Sequence, residues 1–175
     1  YKLEEIDKRE SIFRGVQVVL DLGASPGSWT QYCIKKLPKS GRIFAVDLNP
    51  LNFSHPQVTF IQEAIERLNL VEHLGTQKVD LVLSDMAPKT SGVHTRDVAL
   101  STELASVALS CSEKHLKTGG VFIVKLFMGD SFEDFHRLLK SRFKSVRLLR
   151  PETTRKQSRE IYFVAKEFLS KKDGA

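Results

Sequence analysis

The chain has 175 residues, 41% of them hydrophobic and 27% charged, which suits one globular domain with room for a substantial core. A formal charge of +6 favours a polyanionic partner, because phosphates reward clustered Lys and Arg through counterion release. Only two cysteines occur, Cys33 and Cys111, both inside amphipathic patterns, and no apolar run approaches transmembrane length, so neither a disulfide framework nor a membrane span is expected.

The chain opens at Tyr1 with "KLEEID" already under way, which reads as a trimmed start; a targeting segment ahead of it would be unseen. "VQVVLDLG" at 16–23 predicts a first strand ending at a glycine, and "SWTQYCIKKL" at 28–37 a helix. "GRIFAVDL" at 41–48 and "QVTFIQ" at 57–62 predict two more strands, and "IERLNLVEHLG" at 65–75 a helix closed by Gly75. "VDLVLSD" at 79–85 is a fourth strand. A helix from about Asp97 to Leu116 stops at "KTGG", and "VFIVKLF" at 121–127 is the fifth strand. Ser131 is a plausible N-cap for a helix over "SFEDFHRLLKSRF", with acids in its first turn. "SVRLLRP" and "REIYFVAKEF" are a terminal strand pair joined by the polar loop "ETTRKQS". Strands interleaved with helices predict a three-layer α/β fold with a mainly parallel sheet, as a single domain over residues 1–175.

In such folds, ligands bind beyond the carboxyl ends of the strands. "DLGASPGSW" at 21–29 places a glycine-rich turn there. It is not the dinucleotide fingerprint: Gly23 and Gly27 are separated by Ala24, Ser25 and Pro26, and the acid at Asp21 opposes a pyrophosphate and suits a cation. Asp47, at the end of the second strand, is placed to accept hydrogen bonds from ribose hydroxyls. Asp85 and Lys125 end up on the same sheet edge, where a carboxylate and an ammonium can neutralise each other. A lysine inside the apolar run "VFIVKLF" otherwise has only one easy explanation, a snorkelling amine. The histidines show no metal-ligand spacing with one another or with the cysteines, and no metal is expected.

Taken in order, "YKLEEID", "DLGASPGSW", "AVDL", "DLVLSDMAPKTSG", "GGVFIVKLFMG" and "RPETTRKQSREIYFVA" resemble the FtsJ/RrmJ family of ribosomal RNA 2'-O-methyltransferases over essentially the whole chain. The resemblance implies a Rossmann-like methyltransferase fold with a seven-stranded, mostly parallel sheet and helices on both faces. It implies S-adenosylmethionine as methyl donor and a catalytic tetrad at Lys2, Asp85, Lys125 and Glu160. For the donor it points to the glycine turn (Gly23, Ser25, Pro26, Gly27, Trp29), to Asp47 with Leu48 beside it, and to Asp85. One departure stands out: Ala64 replaces an aspartate that many members hold toward adenine, so backbone groups or Glu63 are expected to read that edge. Lys89, where asparagine is common, adds a positive charge.

Lys89, Arg96, Arg155, Lys156 and Arg159 form two basic groups flanking this edge and are the expected contacts to RNA phosphates. Lys35, Lys36, Lys39 and Arg42 follow the first helix and face away from it. Lys125 is open to two roles, neutral base or charged clamp. The expected substrate is a ribose 2'-hydroxyl, a uridine's, in large-subunit ribosomal RNA, free or in the subunit. The alternatives are a tRNA anticodon loop, an mRNA cap, or RNA binding without catalysis; an NAD-dependent oxidoreductase is disfavoured by the missing third glycine and by Pro26. A cytoplasmic monomer is expected, or an organellar or nuclear protein if a targeting segment was removed.

Overall fold

The computed structural model describes residues 2–152 and 159–170. Seven strands form one sheet in the order β3-β2-β1-β4-β5-β7-β6. They are β1 (Val18–Leu22), β2 (Arg42–Val46), β3 (Val58–Ile61), β4 (Val79–Ser84), β5 (Leu116–Phe127), β6 (Phe143–Leu149) and β7 (Glu160–Phe168). β1 to β5 run parallel, while β7 is antiparallel to both β5 and β6. The strand order reverses at β1, which pairs in parallel with β2 on one side and β4 on the other, and this is where such sheets open a crevice for ligands.

The sheet separates two apolar layers. Ile43, Val19, Leu81, Leu83, Ile123, Tyr162 and Val164 face α1 (Lys2–Glu10) and α2 (Ser28–Lys36). The opposite face packs Leu20, Val82, Phe122, Val124, Phe163 and Ala165 against α4 (His94–His115) and α5 (Phe132–Arg142). The central strands are buried on both faces, which is why they read as continuous apolar runs rather than as alternating ones.

Three elements differ from the sequence reading. The helix expected over 65–75 is a 3₁₀ turn at Ile65–Arg67 and a single α-turn, α3 (Val71–Leu74), because Leu68 is extended between them and Asn69 Oδ1 accepts from Val71 N in a local turn ahead of the second piece. Gly75 still ends it, at φ +60°. "KTGG" does not interrupt the chain before β5, which begins directly at Leu116 and absorbs it as an irregularity opposite Val79–Leu81. Ser131 occupies the N-cap of α5, but its hydroxyl pairs with Thr102 Oγ1 at 2.6 Å instead of capping a backbone N-H. α1 itself escaped the sequence reading. It is fastened by Leu3 and Ile6, each 1% exposed, and by Asp7, which accepts hydrogen bonds from Ile12 N and Tyr32 OH. Among the described residues, no helix is long and apolar enough to cross a membrane, and both cysteines are free.

Candidate active site

Strand alternation builds the site. Leu81 and Leu83 face α1 and α2, so Asp85, just past the end of β4, emerges on that same face. Ile123 faces the same way and is followed two residues later by Lys125; Tyr162 is preceded two residues earlier by Glu160. β5 and β7 pair with Lys125 opposite Tyr162, which sets Glu160 diagonally across from the lysine. α1 then brings Lys2 over this edge. The result is an alternating chain of charge: Lys2 Nζ lies 2.9 Å from Glu160 Oε2, Glu160 Oε1 lies 3.5 Å from Lys125 Nζ, and Lys125 Nζ lies 3.1 Å from Asp85 Oδ1.

The lysine in the apolar run is therefore not a snorkelling one. Lys125 is 8% exposed, and two carboxylates within 3.5 Å offset its desolvation. Burial pushes the Glu160 carboxyl up, but the hydrogen bond from Lys2 and the charge of Lys125 outweigh it and hold it below its usual value. Tyr162 completes the arrangement. It is fully buried, donates its hydroxyl to Asp85 Oδ1 at 2.7 Å, and lies against Trp29 with ring centroids 5.8 Å apart. The sequence reading did not nominate Tyr162; an aromatic alternating with Glu160 on one face of "REIYFVA" is the signal that marks it.

Beside the charged chain, a cavity of about 410 Å³ opens over the ends of β1, β2 and β4. Gly23, Ser25, Asp47, Leu48, Glu63, Asp85 and Lys89 all line it. Gly23 has φ +73°, and a Cβ there would stand 2.5 Å from Met86 Cγ, so the turn is closed to any larger residue. Asp47 is held by Ser25 N at 2.8 Å and Asn49 N at 2.9 Å. Glu63 reaches the cavity despite lying one residue before Ala64, and Glu66, which was not anticipated, joins it from the 3₁₀ turn.

Three residues assigned to the donor stand differently. Trp29 is a core residue under Tyr162 and does not line the cavity, because α2 turns its side chain into the sheet. Gly27, at φ +124°, serves close packing, since a Cβ would meet Phe53 at 2.5 Å. Pro26 is exposed, and its carbonyl accepts from Asn52 N.

Asp21 lies deeper. It is 1% exposed; its Oδ2 accepts from Thr30 Oγ1 at 2.7 Å and its Oδ1 has no partner among the described residues. Burial pushes its carboxyl up to about 7 against the lowering pull of the Thr30 hydroxyl, and the charges of Asp85 and Asp47 add to the rise.

Of the expected RNA contacts, Lys89 and Arg96 are exposed on the segment after β4 and in the first turn of α4. Arg159 is exposed at the start of β7 and meets His94 Nδ1, tying the two basic groups together beside the tetrad. Arg155 and Lys156 lie outside the described residues. Arg42 begins β2 and so sits at the opposite edge of the sheet, as the sequence reading placed that cluster.

Comparison with known proteins gives the family and agrees with the fold. The family model for FtsJ-like methyltransferases matches residues 1–168. The ribosomal RNA large subunit methyltransferase E of Bdellovibrio bacteriovorus is 44% identical over 98% of this chain and 88% of its own length. Its counterpart in an Azoarcus strain is 42% identical over 94% of this chain and 82% of its own. A crystal structure from Plasmodium falciparum, described as that of a ribosomal RNA methyltransferase, superimposes with a TM-score of 0.84 at 30% identity over 98% of this chain and 97% of its own. Human methyltransferase-like protein 13, solved with SAH, shares the fold at a TM-score of 0.61 and 17% identity, over 98% of this chain and 83% of its own. This chain belongs to the FtsJ-like methyltransferase family, enzymes that take a methyl group from S-adenosylmethionine.

Proposed function

We propose that the chain methylates a ribose 2'-hydroxyl in large-subunit ribosomal RNA, at a uridine. The single observation that carries this reading is the run Lys2, Glu160, Lys125, Asp85 at the mouth of a carboxylate-lined cavity, in a chain whose relatives are named for large-subunit ribosomal RNA.

The cavity suits the donor. S-adenosylmethionine supplies a methyl group on a positively charged sulfur, together with an ammonium group and a ribose diol. Asp47, Glu63 and Asp85 offer acceptors for such a ligand, and Gly23 lets it approach the backbone. Leu48 and Met86 supply apolar surface for a flat ring. Glu63, with Glu66 beside it, can accept from an adenine amine where Ala64 cannot.

Lys125 and Lys2 are assigned to the hydroxyl that reacts. As the hydroxyl proton passes to solvent, negative charge would gather on the oxygen, which would form its bond to the methyl carbon as the carbon–sulfur bond breaks; a pre-placed ammonium would stabilise that charge without reorganising. Lys125 sits between the Asp85 and Glu160 carboxylates, 3.1 and 3.5 Å away, and is assigned the clamp role. Glu160 orients both lysines, and Asp85, itself held by Tyr162, orients Lys125. Lys89, Arg96, Arg155, Lys156 and Arg159 are assigned to flanking phosphates. The chain is proposed to act as a monomer and as a single domain.

The test offers labelled S-adenosylmethionine with, in parallel, protein-free large-subunit RNA, large subunits, tRNA and capped RNA, followed by mapping of the 2'-O-methyl group. Label at a uridine of large-subunit RNA is expected. Label only on tRNA or on a cap would replace this substrate with one of those. A rate that rises tenfold per pH unit up to the lysine range would return Lys125 to the base role.

A further inference from the structure

The stretch from Phe135 to Pro151 holds six basic residues, Arg137, Lys140, Arg142, Lys144, Arg147 and Arg150, and not one Asp or Glu. The whole chain has 27 Lys and Arg against 21 Asp and Glu, so the other 21 basic residues are balanced one for one. The formal charge of +6 is thus equal to what this stretch carries, although it lies in none of the basic groups assigned to the active edge.

The fold lays the stretch out as the second half of α5 and all of β6. β6 is the outermost strand on its side, paired only with β7. Three of the cations are already engaged: Arg137 with Asp134 at 3.4 Å, Arg142 with Glu113 at 3.4 Å, and Arg147 with Glu10 at 3.5 Å. Lys140, Lys144 and Arg150 are exposed and have no ion pair or hydrogen bond among the described residues.

Direction matters as well as charge. β6 runs antiparallel to β7, with Phe143 opposite Phe168 and Leu149 opposite Tyr162, so it starts at the far edge of the sheet and ends at the active edge. Arg150 follows at that end, and the chain then leads to Arg159 and Glu160. Lys144 and Arg150 are six residues apart, about 20 Å of extended chain, long enough to follow several phosphates of one strand.

We propose that β6 with the adjoining end of α5, through Lys140, Lys144 and Arg150, is a second RNA-docking surface that holds substrate phosphates at a distance from the ribose that reacts. The inference rests on the RNA-methylating function proposed above. Nucleic acid fits better than a protein here because the free charges are of one sign and spread along the end of α5 and the length of β6; contacts to phosphates fix register without reading bases.

The experiment uses the full chain with Lys140→Glu, Lys144→Glu and Arg150→Glu, singly and combined. Affinity for protein-free large-subunit RNA is read directly by filter binding over a salt series, so the answer stands whether or not methyl transfer is seen. If the unaltered protein transfers nothing, the proposed function falls while the docking surface is still judged by affinity. The combined variant is expected to bind RNA on the order of tenfold more weakly, with a log-log salt slope shallower by about 1 per residue changed. Donor affinity and kcat at saturating RNA should be unchanged. Unchanged affinity and slope overturn the proposal. So does a loss seen on intact subunits but not on protein-free RNA, which would give the surface to a ribosomal protein. Lys39→Glu, just ahead of β2 and five strands across the sheet from β6, is the control: an equal loss there would reduce the effect to overall charge and also overturn it.

Discussion

Lys125 and Asp47 are both polar residues at strand ends, yet their neighbours give them separate duties. Lys125→Ala removes the group between Asp85 and Glu160 and leaves the cavity wall intact. Transfer should fall by at least about a thousandfold, comparable to the loss of an oxyanion donor, with donor affinity nearly unchanged in calorimetry. Asp47→Ala should do the reverse, weakening the donor about tenfold or more while leaving kcat at saturation largely intact. Asp21 gives a prediction in pH. An unfolded carboxyl ionises near 3.8 and the folded one near 7, so between these values the folded state keeps a proton that the unfolded state has lost. Stability should therefore decline as pH rises through that window, by at most about 1.4 kcal/mol per unit, and level off above it. Asp21→Asn removes this decline. Its advantage over the unaltered protein, in urea denaturation at pH 4.5, 6, 7 and 8, should grow up to about pH 7 and then stay constant. A difference that ignores pH would show that the buried carboxyl is not the cause.

At the scale of elements, α1 is the weakest support of the site. Nine residues form no stable helix in isolation, so α1 depends on the packing of Leu3 and Ile6 against the sheet. Leu3 is next to Lys2, and Leu3→Ala should destabilise the protein by about 2–4 kcal/mol in urea titrations. It should also lower kcat well before it affects donor affinity, because Lys2 loses its aim while the cavity keeps its walls. α1 was also the element the sequence concealed. Its mean hydropathy is low, and its apolar positions make sense only once Ile12, Phe13 and Val16 are seen to close the same layer. The strands, by contrast, were legible, since buried runs bounded by glycine and aspartate fix both identity and direction. Asp85 and Lys125 could be paired from that pattern alone. Lys2 and Glu160 could not, because nothing local links positions 158 residues apart; they entered through the family resemblance. Trp29 shows the opposite limit: its place beside the glycine turn is local, whereas its packing onto Tyr162 and into the core depends on how α2 sits on the sheet.

On the scale of the whole molecule, opposite charges are sorted to opposite tasks. Acids predominate in the cavity, with Asp47, Glu63, Glu66 and Asp85 on its walls and Lys89 as the one cation among the lining residues, while Arg96, Arg159 and the β6 edge lie exposed beyond it. The two ligands should therefore respond differently to salt. RNA binding releases a counterion for nearly every phosphate neutralised, so log affinity should fall linearly with log salt concentration. Donor binding in the cavity involves a small ligand and no polyanion, so it displaces no such counterion atmosphere. Raising monovalent salt from 50 to 200 mM should lower kcat/KM for RNA by at least about tenfold, given several phosphate contacts, while the donor dissociation constant shifts by less than about twofold. Both quantities can be read from one preparation, by methyl transfer at limiting RNA and by calorimetry with S-adenosylmethionine alone. Equal sensitivity of the two would mean that the basic surface acts on the fold or on the donor cavity. A salt-dependent RNA term beside a flat donor term would tie the excess positive charge to the polyanion.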